Sequence, residues 1–237
     1  MNYFEKNIDL YLEQFKELRK YYPSLNDQIE SDNLFLRGKV QINEDFGTGL
    51  WINDYYLIEI AIPPDYPDAL PIVKEIGGKI ENNYPHFLKR GERALCLGTF
   101  TDLWFRFEKK KTLLYFVHYL LIPALYAHAY WKNKNIMPPW GESRHGGLGA
   151  ADYFADYFQI YDLFHIIQLL NVLIHNYFDW TSQCPCGSKN SLNNCHGIQL
   201  KKLRQVPYSY LLFETNIMIR DYFMIYKTPL GKKRTSK

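Results

Sequence analysis

Ala94-Leu95-Cys96-Leu97-Gly98 is the stretch on which the reading of this chain turns, taken together with Trp104, eight residues past the cysteine. Cys96 stands alone, because Cys184, Cys186 and Cys195 crowd into twelve residues near the other end. A thiol between two leucines has two readings. It is a small buried hydrophobe, since free cysteine is among the most buried residue types, or it is a nucleophile, which has to be reachable and partly ionised. The segments on either side decide between them.

Upstream, residues 62–71 read Ile-Pro-Pro-Asp-Tyr-Pro-Asp-Ala-Leu-Pro. A passage so punctuated can be neither helix interior nor central strand. Ahead of it, Ile8, Leu10, Tyr11, Leu12, Phe15 and Leu18 fall near helical spacing, and Pro23 closes an opening helix over 3–22. Residues 34–42 partly alternate and predict a strand, 43–49 a turn and 50–53 a second strand. A third covers 55–62, with Tyr56, Ile58 and Ile60 on one face and Leu57 and Ala61 on the other. Residues 72–76 predict the fourth strand, ended by Gly77-Gly78. Lys89-Arg90-Gly91-Glu92 reads as a turn before the cysteine. Past it, 109–130 is a long helix that Pro123 kinks or divides. Residues 133–149, rich in Gly and Pro, read as a long loop, mobile or functional. Residues 150–178 resume as helix, and a last apolar run covers 208–226.

Helix, four-stranded antiparallel meander, proline-rich flap, lone cysteine, then helices: this order resembles the ubiquitin-conjugating family over roughly residues 1–130. The particulars agree as well. Tyr66-Pro67-Asp68-Ala69-Leu70-Pro71 matches the family's Y-P-x-x-x-P flap. His86 lies ten residues before Cys96, the cysteine has the [IL]-C-L setting, and Trp104 follows at the family's spacing. The resemblance implies an α+β, ubiquitin-conjugating-like fold over 1–160. It implies too that Cys96 carries the C-terminus of another protein as a thioester, a store from which an attacking amine readily displaces the thiolate. Leu88 stands where the family places the asparagine credited with oxyanion support, a donor whose loss costs about 10²–10³-fold in rate. His86 is the first candidate to serve instead, as donor or orienting group. Arg90, Arg93 and His86 are candidates for positive potential near the thiol. His128, thirty-two residues past Cys96, stands where the family often places an acidic group near the incoming lysine.

Residues 138–153, Pro-Pro-Trp-Gly-Glu-Ser-Arg-His-Gly-Gly-Leu-Gly-Ala-Ala-Asp-Tyr, lack a eukaryotic counterpart. With the altered histidine motif they give a resemblance to the divergent prokaryotic conjugating proteins of CBASS anti-phage operons. That resemblance implies a cGAS/DncV-like nucleotidyltransferase (a CD-NTase) as the protein whose C-terminal tail is carried. A target amine would be the acceptor, and a separate activating enzyme is a further candidate partner.

The second motif is Cys184-Pro-Cys186, eight residues, then Cys195-His196. Three thiolates and an imidazole satisfy tetrahedral zinc, and a closed four-ligand shell is structural, not catalytic. The pattern is similar to the SEC-C metal-binding motif, here over 184–197 within a helical C-terminal extension, 161–237. Gly187 permits the turn between the ligand pairs. An odd cysteine count within the cluster argues against local disulfides. Beyond it, no histidine–carboxylate pair stands at ligand spacing, which excludes a zinc-dependent hydrolase.

Composition narrows the setting. The five basic residues of the acid-free 227–237 more than account for the net charge of +3, so the rest is near balance. The expected role of that tail is a solvated terminus, with neither nucleic acid nor membrane as partner. The apolar run 112–129 is broken by His118, Pro123 and His128, a poor membrane span. The amphipathic N-terminus lacks the layout of a secretory signal. Four cysteines that pair poorly as a disulfide framework point to a reducing cytoplasm. The competing expectation is a catalytically silent scaffold that keeps the fold and the zinc module for protein binding.

Overall fold

The computed structural model describes residues 3–84, 86–87, 93–140, 143–177, 179–227 and 230. The chain divides into two compact units, Met1–Leu97 with Arg106–Glu142 and Gly98–Phe105 with Ser143–Lys237.

In the first unit helix α1 (Tyr3–Tyr21) leads into a four-stranded antiparallel sheet of β1 (Asn26–Glu30), β2 (Asn33–Glu44), β3 (Ile52–Ile62) and β4 (Ile72–Glu75). The spatial order is the chain order, β1-β2-β3-β4. Inward positions stack across the ladders, with Leu36 opposite Ile60 and Ile60 opposite Val73. Leu36, Val40, Ile42, Tyr56, Ile58 and Ile60 are all buried, the outcome that alternation over β2 and β3 dictates.

The strand count agrees with expectation, but the strands differ. The strands expected over 50–53 and 55–62 are one, β3, which begins at Ile52, since nothing breaks the ladder between Asn53 and Tyr55. The remaining strand is β1, Asn-Asp-Gln-Ile-Glu, exposed at every position. It is an edge held by its backbone and by Arg37 of β2, which donates to Gln28 at 2.7 Å and to Glu30 at 2.9 Å. No apolar pattern announces such a strand.

Beyond the sheet, α2 (Phe100–Phe107) is shared between the units, Phe100–Phe105 falling in the second and Arg106 and Phe107 in the first. The long helix begins later than expected, at Leu113, where Thr112 caps it by accepting from Tyr115 N–H at 3.2 Å. It runs as α3 (Leu113–Tyr115), a π-helical stretch (Phe116–Leu121) and α4 (Ile122–Lys134). Pro123 therefore neither ends nor divides it. Proline sits in the first turn of α4, where its missing N–H is tolerated. Arg106 donates at 2.8 Å to Tyr119 O, the carbonyl that an α-helical N–H at position 123 would have bonded. Leu113–Lys134 is long and apolar enough to cross a membrane by length and composition, and 61% of its most apolar window is buried against the protein.

The second unit is helical: α5 (Gly146–Phe158), α6 (Leu163–Ile174), α7 (Gly197–Leu203), α8 (Tyr208–Arg220) and α9 (Tyr222–Tyr226). The single helix expected over 150–178 is two, bent by 81°. Gln159 takes a left-handed conformation, and Asp162 caps α6 by accepting from His165 N–H at 3.0 Å. The loop expected over 133–149 is shorter at both ends, because Gly146, Gly147 and Gly149 open α5. Their role is close approach: a Cβ on Gly147 would lie 2.4 Å from Ile217 O.

Candidate functional site

β4 is extended by two residues that arrive from much later in the chain. Ala94 bridges to Lys74, and Leu95 N–H donates to Val73 O at 2.8 Å. Phe87 bridges to Leu95 on the other side, and Cys96 N–H donates to His86 O at 2.8 Å. The ten-residue gap between His86 and Cys96 is thus closed by backbone pairing. Ala94 and Leu95 are buried anchors, and Cys96, the next residue, is half-buried.

The flap that precedes this segment is pinned from inside. Tyr66 is buried and its hydroxyl donates to Gln14 Oε1 at 2.6 Å. Leu113 N–H donates to that oxygen at 2.9 Å, and Gln14 Nε2 donates to Lys111 O at 3.2 Å. One α1 side chain therefore ties the flap to the start of the long helix. The Tyr66–Pro67 peptide is cis.

Arg93 is held by partners around the end of β4. Its guanidinium donates to Glu75 Oε2 at 2.9 Å, Glu75 O at 3.1 Å, Ile80 O at 2.7 Å and Asn82 Oδ1 at 3.3 Å. Glu75 is 0% exposed, so removing Arg93 would strand a buried carboxylate. Glu75 also accepts from Gly77 N–H at 2.8 Å. Arg93 clamps the segment leading to Cys96 onto the end of β4. Arg90 and Leu88 lie outside the described residues.

His128 likewise belongs to the interior. It is 0% exposed, its Nδ1 is 2.7 Å from the Tyr56 hydroxyl and its Nε2 is 3.0 Å from Glu81 Oε2. Burial holds it below the usual imidazole range. Neutral His128 accepts from Tyr56 and donates to Glu81. Lys132, 2.8 Å from Glu81, and then His128 draw that carboxyl down to about 2. A residue so placed does not face an incoming lysine. Trp104 packs within the second unit, its indole N–H donating to Gln205 O at 2.8 Å. Glu75, Glu81 and Tyr84 had no signal in the sequence. Only the fold brings them to this segment.

The second unit holds the metal-site candidates together. One ligand atom each from Cys184, Cys186, Cys195 and His196 lies within 4.8 Å of all the others. Cys186 and Cys195 Sγ are 3.5 Å apart, and His196 Nδ1 is 3.3 Å from Cys184 Sγ and 3.2 Å from Cys195 Sγ. A zinc–sulfur bond of about 2.3 Å in a tetrahedron puts sulfurs about 3.8 Å apart, so the cage fits that ion. His196 Nε2 lies 3.0 Å from Phe158 O, the second partner that orients a ligating imidazole and leaves Nδ1 for the metal. Burial pushes the Cys184 thiol up to about 12, so a thiolate there calls for a cation beside it. Burial acts upward on Cys186 too, but the Ser188 hydroxyl and N–H, with the neighbouring thiols, outweigh it and bring it to about 6. Gly187 turns the chain with φ +83 between the ligand pairs. The four residues could hold a metal ion, and their chemistry suits zinc.

No protein-family model, curated protein or solved structure matches the chain.

Proposed function

We propose that the chain is an acyl carrier of the ubiquitin-conjugating kind. Cys96 takes the C-terminal carboxyl group of a partner protein as a thioester and yields it to an amine on a target protein. The observation that carries this reading is the placing of Cys96: half-buried at the end of backbone paired to β4, its N–H fixed to His86 O. The antiparallel meander in chain order and the flap anchored by Tyr66 support a ubiquitin-conjugating-like fold for the first unit.

Loading forms a sulfur–carbon bond as the thiolate attacks an activated carbonyl and the activating group leaves with its electron pair. Transfer forms an amide as the amine attacks, the thiolate departs, and the amine's proton passes to base or solvent. His86 assists as donor or orienting group. By resemblance, the tail belongs to a cGAS/DncV-like nucleotidyltransferase in a CBASS-type cytoplasmic defence system, with an activating enzyme supplying the energised carboxyl group. The zinc knuckle is structural and anchors α7, or docks a partner.

A second reading, a silent scaffold, draws on Leu88, which stands where the family places its oxyanion asparagine, so that donor is missing. Non-reducing electrophoresis with the neighbouring nucleotidyltransferase, ATP and the activating enzyme separates the two. The carrier reading expects a DTT-sensitive adduct that is absent from Cys96→Ala and DTT-resistant in Cys96→Ser. An adduct indifferent to Cys96, or none, supports the scaffold.

A further inference from the structure

Tyr84 stands between two histidines. Its ring centroid is 5.2 Å from that of His86 and 4.8 Å from that of His128, which it meets edge-on at 85°. It is 4% exposed, Trp131 closes on it at 5.3 Å, and its N–H donates to Glu81 O at 3.0 Å. The His128 ring beneath is fixed in orientation because both nitrogens are used, one by the Tyr56 hydroxyl and one by Glu81. Glu81 is in turn held by Lys132. On the outer side His86 passes its carbonyl to Cys96 N–H. Among the described residues, a polar network inside the unit therefore reaches the cysteine segment through the Tyr84 ring and the histidine packed on it.

We propose that Tyr84 is a positioning residue for the Cys96 site, an aromatic strut that sets the orientation of the His86 ring and, through it, the reactivity of the thiol. This rests on the reading of Cys96 as a nucleophile assisted by His86. A nucleophilic cysteine depends on donors and charges aimed at its thiolate, and a ring that swings away no longer supplies them. Tyr84 touches neither partner tail nor amine. Its contribution is geometric.

The test is the pH profile of Cys96 alkylation by iodoacetamide in the zinc-loaded full chain, read at that cysteine by peptide mass spectrometry. Tyr84→Leu, which fills the volume without a ring, is expected to slow alkylation at neutral pH at least about fivefold and move the profile toward that of an ordinary thiol, near pH 8.5. Tyr84→Phe, which keeps the ring, retains the wild-type profile. His86→Ala reproduces the loss, and the double variant loses no more than either single one, because the strut acts through His86. A folded Tyr84→Leu with the wild-type profile overturns the proposal, as does a loss adding in full to that of His86→Ala. Tyr84→Met supplies the same comparison should the leucine variant fail to fold. The profile reads the strut whether or not a tail is ever loaded. Absence of the wild-type adduct overturns thioester carriage instead.

Discussion

Gly38 lies on the inward face of β2 with φ +157, and a Cβ built there would fall 1.9 Å from Ser24 O. The obstacle is backbone, so no side chain can yield. Gly38→Ala is expected to destabilise the first unit by about 2–3 kcal/mol through overpacking, read as a lower denaturation midpoint with unchanged slope. A midpoint equal to wild type would contradict the packing described. In the second unit Glu214 is fully buried, with Thr101 Oγ1 donating to it at 2.5 Å and Thr101 N–H at 3.4 Å, at the start of α2. Burial raises its carboxyl to about 7, against hydrogen bonds that act downward. Its folded value exceeds its unfolded one, so its stability contribution is full below about pH 4.5 and lost as pH rises through 7. The shift corresponds to roughly 3 kcal/mol. Glu214→Gln is expected to remove this loss, so the variant's advantage over wild type grows between pH 4.5 and 7 in paired thermal melts. A stability difference constant across that window would refute it.

At the scale of elements, what was legible followed from burial pattern. β2 and β3 bury alternate apolar residues, and α1 buries Tyr11, Phe15 and Leu18 at helical spacing, although Ile8, Leu10 and Leu12 of the same pattern are exposed. β1 was not legible, because an edge strand with every residue exposed has no pattern to show. Nor was the opening of α5. Glycines read as loop residues where only sequence is available, and here they permit helix contact against Ile217. The carbonyl left without a partner by Pro123, Tyr119 O, is met by Arg106, thirteen residues away, a contact no local pattern shows. The candidate metal ligands were legible because metal coordination demands a fixed spacing, while the partner of His196, Phe158 O, was not. A prediction belongs here. The second unit is expected to purify with one zinc per chain, and its removal to cost that unit roughly several kcal/mol, because binding and folding are one equilibrium in such a knuckle. Metal analysis and hydrogen exchange check this: chelation should deprotect residues 184–203 and leave β2 and β3 unchanged. A metal-free preparation with protected amides over that segment would contradict the assignment.

For the whole molecule, the two units divide the chemistry. The first holds Cys96 and His86 at the rim of a sheet, clamped by the Glu75–Arg93 pair and backed by the Tyr56–His128–Glu81 network. The second holds the Cys3His cage. Resemblance to a family's spacing pointed to Cys96 and His86. The same spacing pointed to His128 as facing an incoming lysine, whereas its ring is buried between Tyr56 and Glu81, an environment that spacing does not reveal. The account then rests on one covalent bond. Intact-mass measurement of the chain, incubated with the partner nucleotidyltransferase, ATP and the activating enzyme, tests it most directly. The account predicts a mass increase equal to the partner minus water, located to Cys96 and discharged by neutral hydroxylamine. An unchanged mass, or an adduct that survives in Cys96→Ala, would contradict it.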